Sequence, residues 1–111
     1  MMKKIIETED NKYEIIKDYR EAFNKDEFLS RYTEYFKEYD YIVGDYAYGK
    51  LRLKGFYDNN NKKANKINKI SLLDKYLEEN CAYGCKYFVA KKILLWYTLF
   101  KIDEVLKKYE Q

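Results

Sequence analysis

The sequence has no proline and no histidine, only two cysteines, four glycines and one tryptophan. Without histidine, no side chain ordinarily titrates near neutrality, so a general base would have to be a carboxylate or a perturbed lysine. The commonest nitrogen ligand of zinc is missing too. Long apolar runs are also lacking. The longest, Ile93-Leu94-Leu95-Trp96-Tyr97, is far short of the roughly 20 residues a membrane helix needs. Lys3 and Lys4 give the N-terminus the charge of a signal peptide, but the apolar stretch stops at Glu7, too short for an h-region. These gaps lead us to expect a non-catalytic cytoplasmic protein with no membrane partner, no metal and no cofactor.

What is present points to a folded domain. The chain has 111 residues, of which 47% are hydrophobic and 19% aromatic, enough to bury one core and too apolar for disorder over most of its length. Of the 22 basic residues, 19 are lysine. Lysine, asparagine, isoleucine and tyrosine all have A/T-rich codons, so part of this excess reflects genome composition. A net charge of +3 is too weak to imply nucleic acid. Its distribution says more. Residues 1–49 carry 8 basic and 12 acidic side chains, a balance of −4, whereas residues 50–75 carry 8 and 2, a balance of +6.

Two β-like pieces open the chain, Lys3–Thr8 and Lys12–Tyr19, joined by turn residues Glu9-Asp10-Asn11. Asn24 and Glu27 form a capping box, and Phe23 and Phe28 occupy the positions of a hydrophobic staple. Phe28, Tyr32, Tyr35, Phe36 and Tyr39 follow with helical spacing, which predicts a helix over residues 25–38. From Tyr41 the period becomes two. Tyr41–Ala47 and Lys50–Tyr57 read as strands joined at Tyr48-Gly49. That turn sets Asp45 opposite Arg52, Val43 opposite Lys54 and Tyr41 opposite Phe56. One face then carries Ile42, Tyr46, Leu51 and Leu53 into the core, and the other carries Lys50, Arg52, Lys54 and Phe56.

Residues 58–68 read as a solvated, mobile loop. Ser71 and Asp74 predict a capped helix running to Asn80, and Lys86–Ile93 reads as a further strand. Leu95, Leu99, Ile102, Leu106 and Tyr109 form an amphipathic row at the C-terminus. The expected fold class is α+β: a small antiparallel sheet of an N-terminal hairpin, a central hairpin and one further strand, packed with two to three helices. Residues 1–111 read as a single domain, with 94–111 a divergent helical extension.

Three motifs invite a chemical reading. Gly44 to Lys50 matches the spacing of a phosphate-binding loop, but Leu51 stands where a metal-binding hydroxyl is required, and a strand follows where a helix must open. The glycines are better explained by the backbone: Gly49 for positive φ in the turn, Gly44 for close packing. Cys81-Ala82-Tyr83-Gly84-Cys85 has three intervening residues rather than two, and a zinc site there would need carboxylates or a second subunit. Cys81 also falls at a helix C-terminus, which raises a thiol's pKa. Two reduced thiols beside a turn are expected. Asp40, Asp45 and Asp58 flank the hairpin and could in principle share a divalent metal, but ordinary turn and ion-pair roles fit them better.

The strongest functional hint is the stripe Lys50, Arg52, Lys54 and Phe56, with Lys62, Lys63, Lys66 and Lys69 in the adjoining loop. Alternation spaces the first three by about 6.5–7 Å, close to the phosphate repeat of a nucleic-acid strand, and exposed rings could stack on bases. The bland counterpart is a solvated sheet face. Tyr46, Tyr48 and Tyr83, at turns, would mark a binding surface if exposed together.

Several blocks carry a family resemblance. Glu21-Ala22-Phe23-Asn24, Tyr39-Asp40-Tyr41-Ile42-Val43-Gly44-Asp45, Gly49-Lys50-Leu51-Arg52-Leu53-Lys54-Gly55-Phe56-Tyr57 and Cys81-Ala82-Tyr83-Gly84-Cys85-Lys86-Tyr87-Phe88-Val89 resemble the YutD-like family of small bacterial proteins. The match spans about residues 12–93. It departs at Tyr46-Ala47, where the family more often has Trp-Gly, and at Lys50, where Gln is common; the tail after Ile93 has no counterpart. The resemblance implies a cytoplasmic bacterial α+β domain and supplies no reaction, substrate or catalytic residue. The leading expectation is a binding module that contacts RNA or a ribonucleoprotein through the basic hairpin face. The alternative is a protein-interaction or regulatory domain that docks a partner, or itself, through its C-terminal apolar row.

Overall fold

The computed structural model describes residues 4–80 and 85–93. Five antiparallel strands form one open sheet in the order β1-β2-β5-β3-β4. They are β1 (Ile5–Glu7), β2 (Lys12–Tyr19), β3 (Tyr41–Ala47), β4 (Lys50–Phe56) and β5 (Tyr87–Lys92). Both hairpins form as expected. In the first, the Thr8 hydroxyl accepts from the Asn11 N–H at 3.0 Å, the local side-chain bond that makes such residues turn formers. In the second, Tyr48 and Gly49 both take positive φ, 53° and 76°. That is the mirror-image two-residue turn whose twist suits paired strands. The register matches expectation: Asp45 opposite Arg52, Val43 opposite Lys54, Tyr41 opposite Phe56.

β5 joins the two hairpins by lying between β2 and β3. Its alternation therefore feeds two cores. Phe88 and Ala90 point to the first face, where Ile6, Tyr13, Phe28, Phe36, Ile42 and Leu51 gather. Val89 points to the second, with Tyr41, Val43 and Phe56. Gly44, in β3, lies under the Phe88 ring, and a methyl group there would overlap it. Close approach, not flexibility, explains this glycine.

Helix α1 (Lys25–Arg31) starts as the sequence indicates. Asn24 Oδ1 accepts from the Glu27 N–H at 3.0 Å, and the Phe23 and Phe28 rings lie 5.8 Å apart. It is half the length expected. Tyr32 and Thr33 turn extended, and a single 3-10 turn, Glu34–Phe36, follows. The break lets Tyr32 pack on Tyr13 and Phe28 while its hydroxyl donates to Asp10 at 3.0 Å. A tertiary aromatic cluster has overridden the helical spacing.

The second helical segment is also corrected. A 3-10 turn, Ile70–Leu72, runs directly into α2 (Leu73–Asn80). Ser71 is therefore inside the turn, its N–H bonded to Asn59 Oδ1, and does not cap the helix. Residues 58–68 are not bare loop either. Asp40 accepts from the Asp58 N–H at 2.7 Å and from Asn61 Nδ2 at 3.0 Å, and Asn61 and Asn65 bond the N–H groups two residues on. The parallel bridge between Tyr57 and Lys69 closes the loop's base. The expected C-terminal helix lies outside the described residues.

Candidate binding site at the central hairpin

The basic stripe has the predicted facing but different surroundings. Ile70 of the 3-10 turn and Leu73 and Tyr76 of α2 pack against Tyr41, Val43 and Phe56, so this part of the face is roofed rather than open. Phe56 is fully buried, its ring 5.6 Å from Tyr76 in an edge-to-face contact. A buried ring cannot stack on a base, and Phe56 is corrected from a contact residue to a core residue. Lys54 is half-buried, with Nζ 5.4 Å and 5.6 Å from the Phe56 and Tyr76 ring centres. Its charge faces aromatic rings.

Arg52 is the most constrained cation. Its Nε and Nη2 donate to the two oxygens of Asp45 at 2.9 Å and 3.1 Å, and Nη2 also donates to the Asn80 carbonyl at 2.9 Å. Asp45 is 1% exposed. A buried carboxylate is tolerated only when paired and hydrogen-bonded, and this fork supplies both. The guanidinium also caps the C-terminal end of α2, where exposed carbonyls favour a cation. Asp45 is thus an ion-pair residue with both oxygens engaged, and Asp40 is a loop clamp. Among the described residues no group of three or more His, Cys, Asp or Glu could hold a metal ion.

The other candidates are dispersed. Lys63 pairs with Glu38 at 2.8 Å, while Lys50 and Lys62 are exposed. Gly49 occupies the turn and is followed by strand, which removes the phosphate-loop reading. Cys85 is disulfide-bonded, which overturns the expectation of a reduced thiol there. A thiol's pKa governs its reactivity, whereas bonding depends on a second sulfur in reach, which spacing alone does not disclose. Cys81 and Tyr83 lie outside the described residues.

What the stripe loses, the hairpin tip gains. Tyr48 is fully exposed, and it holds a left-handed backbone that a bulky residue rarely adopts. Tyr46 turns inward instead: its hydroxyl donates to Glu27 at 2.6 Å and Lys86 Nζ sits 4.3 Å over its ring. Beside the tip, Glu27, Ser30 and Arg31 of α1 and Gly49, Lys50 and Leu51 of β4 line a shallow cleft of about 200 Å³. Strained, exposed Tyr48 next to a cleft with Arg31 and Lys50 is the arrangement with the plainest binding character. The clue in the sequence was a tyrosine in a turn position that favours Asn or Gly.

Comparison with known proteins places this geometry in a family. The family model described as "Putative antitoxin YutD-like" matches residues 7–91. The chain belongs to the YutD-like family. A relative, "Putative antitoxin YutD" of Bacillus subtilis (strain 168), is 49% identical over 81 residues, which cover 73% of this chain and 89% of the relative. The solution NMR structure of protein yutD from B. subtilis is similar with a TM-score of 0.70 and 45% identity, covering 82% of this chain and 83% of that one. The family match stops just before the end of β5, so residues 94–111 stand outside it. No helix among the described residues is long and apolar enough to cross a membrane.

Proposed function

We propose that this chain is a non-catalytic binding domain that holds a partner protein, in the manner its relatives' antitoxin designation suggests, with the tip of the central hairpin as its anchor. Tyr48 carries the reading. A bulky residue at positive φ costs on the order of 1–2 kcal/mol, and full exposure leaves that cost without any packing in return. Tyrosine is also a residue type that dominates protein interfaces. Arg31 and Lys50 beside it favour an acidic patch on the partner.

A nucleic-acid partner keeps one observation in its favour, the +6 balance of residues 50–75. Against it, Phe56 is buried and Arg52, Lys54 and Lys63 are engaged within the domain. Native mass spectrometry of the tagged chain, purified from its bacterial host with and without ribonuclease, tests the choice. We expect a ribonuclease-resistant protein complex that Tyr48→Asn weakens at least about ten-fold, a loss of ~1.4 kcal/mol. Asn tolerates the left-handed backbone, so the variant should melt no lower than wild type. A complex dispersed by ribonuclease, or one indifferent to Tyr48→Asn, overturns the proposal.

A further inference from the structure

One edge of the sheet is open beside the candidate site. β4 is the outermost strand on its side. In an antiparallel pair, alternate residues direct both backbone groups toward the neighbouring strand or away from it. The two-residue turn at Tyr48-Gly49 makes Ala47 and Lys50 the first mutually bonded pair. Lys50, Arg52, Lys54 and Phe56 therefore bond β3, while Leu51, Leu53, Gly55 and Tyr57 turn their N–H and C=O groups outward. Tyr57 bears this out: its N–H donates to the Asn68 carbonyl at 2.7 Å, and its own carbonyl accepts from the Ile70 N–H at 2.8 Å, both beyond the edge. That pairing and the buried Gly55 close the far end of β4. Nearer the turn the side chains of Leu51 and Leu53 pack into the first face. No bond from the described residues reaches their outward backbone groups.

We propose that this edge takes up an extended segment of the partner protein as a sixth strand, one that alternates acidic and apolar side chains. The inference rests on the reading of the chain as a partner-binding domain and names what the partner presents. An unpaired edge is a template for strand addition, in which backbone bonds hold the segment and side chains select it. The two faces of β4 set the selection. Leu51 and Leu53 belong to the first core, so side chains of the added strand on that face meet apolar surface. Lys50, Arg52 and Lys54 lie on the other face at intervals of about 6.5–7 Å. Arg52 is paired with Asp45, whereas Lys50 and Lys54 have no acidic partner among the described residues. Acidic side chains fit opposite them. The same cations disfavour a second copy. Antiparallel pairing of two β4 edges through Leu51 or Leu53 sets Lys50, Arg52 and Lys54 across from their counterparts, and like charges directly opposite are destabilising. The edge begins at the turn, beside the cleft lined by Arg31 and Lys50, so a strand laid along it also reaches Tyr48.

Residue-resolved amide hydrogen exchange of the full chain reads the edge directly. In the chain alone, the Leu51 and Leu53 amides should exchange at least about ten-fold faster than those of Arg52 and Lys54, which bond β3. A synthetic peptide as long as β4, alternating glutamate and valine and supplied at millimolar concentration, should slow Leu51 and Leu53 by about ten-fold or more and leave Arg52 and Lys54 unchanged. A lysine–valine counterpart should not slow them, nor should the glutamate peptide methylated on its alternate backbone nitrogens. Leu53→Pro, which removes one outward N–H, should abolish the effect; should that variant fail to fold, the methylated peptide still decides. Leu51 and Leu53 amides already slow in the chain alone overturn the proposal, and slowing that grows with protein concentration identifies a second copy as the occupant. Failure of the glutamate peptide to protect, or equal protection by the lysine or methylated peptides, overturns it as well. Tyr48→Asn leaves this readout unchanged, and the peptide needs no captured complex, so the edge and the tip anchor can fail separately.

Discussion

Two glycines show how the consequence of one methyl group depends on what it meets. Gly44 lies beneath Phe88, and Gly55 beneath Tyr39; a Cβ at either would overlap the ring above it. Phe88 is completely buried, and Tyr39 is half-buried and stacked on Tyr57 with ring centres 4.6 Å apart. A ring locked in a core cannot move aside, and overpacking there costs about 1–3 kcal/mol. Gly44→Ala should sit at or above the top of that range in urea denaturation. Gly55→Ala should cost about half as much or less, because the Tyr39 ring can yield toward solvent. Equal losses would contradict the difference in mobility inferred from burial. The need for glycine at 44 was legible in the sequence as a strand position without a side chain. Which ring required the space was not, because Phe88 is 44 positions away and only the sheet order brings it over.

At the scale of elements, the Arg52 fork ties β3, β4 and α2 together. Asp45 and Arg52 were readable as a cross-strand pair because the turn fixed the register. The third bond, to Asn80, was invisible, since nothing local states where α2 will lie. Arg52→Ala leaves a buried carboxylate without its cation and should cost about 3 kcal/mol, the lower part of the range for broken buried pairs because the guanidinium itself is partly exposed. Asp45→Asn added to Arg52→Ala should recover part of this loss by removing the stranded charge, measurable as a double-mutant cycle. Additive losses would show that the pair is not coupled. The failure at residues 25–38 has a similar origin. The spacing of Tyr32 and Phe36 suits a helix, but both rings reach the same core from an extended step and a 3-10 turn as well, and the contact with Tyr13 decides between them.

Across the whole molecule, a tyrosine-rich core makes stability sensitive to alkali. Burial, followed by the negative charge of Asp45, pushes Tyr76 up to about 12. Burial and the Glu27 carboxylate hold Tyr46 at about 12, and the Tyr35 hydroxyl followed by burial does the same for Tyr39. Burial raises Tyr13 further still. An unfolded tyrosine ionises near pH ~10. Above that the unfolded chain has released phenol protons that the folded chain retains, so stability present below pH ~10 is lost as pH rises toward ~12. Urea midpoints should fall across that window, and Tyr76→Phe should flatten the decline while keeping the ring contact with Phe56. A profile flat from pH ~9 to ~12 would contradict these assignments. Overall class and both hairpins were open to reading because turn chemistry and alternation are local. The position of β5 was not, since strand order depends on contacts between distant parts of the chain.

That strand order also governs how the protein can be made. β5 is the last described strand in the chain yet sits in the middle of the sheet. As the polypeptide leaves the ribosome, the β1–β2 and β3–β4 hairpins can close early, but each keeps an unpaired edge until residues 87–92 arrive to join them. The nascent protein is thus two sticky halves awaiting a keystone. Its exposure to misassembly during synthesis is set by the time needed to translate the stretch between β4 and β5.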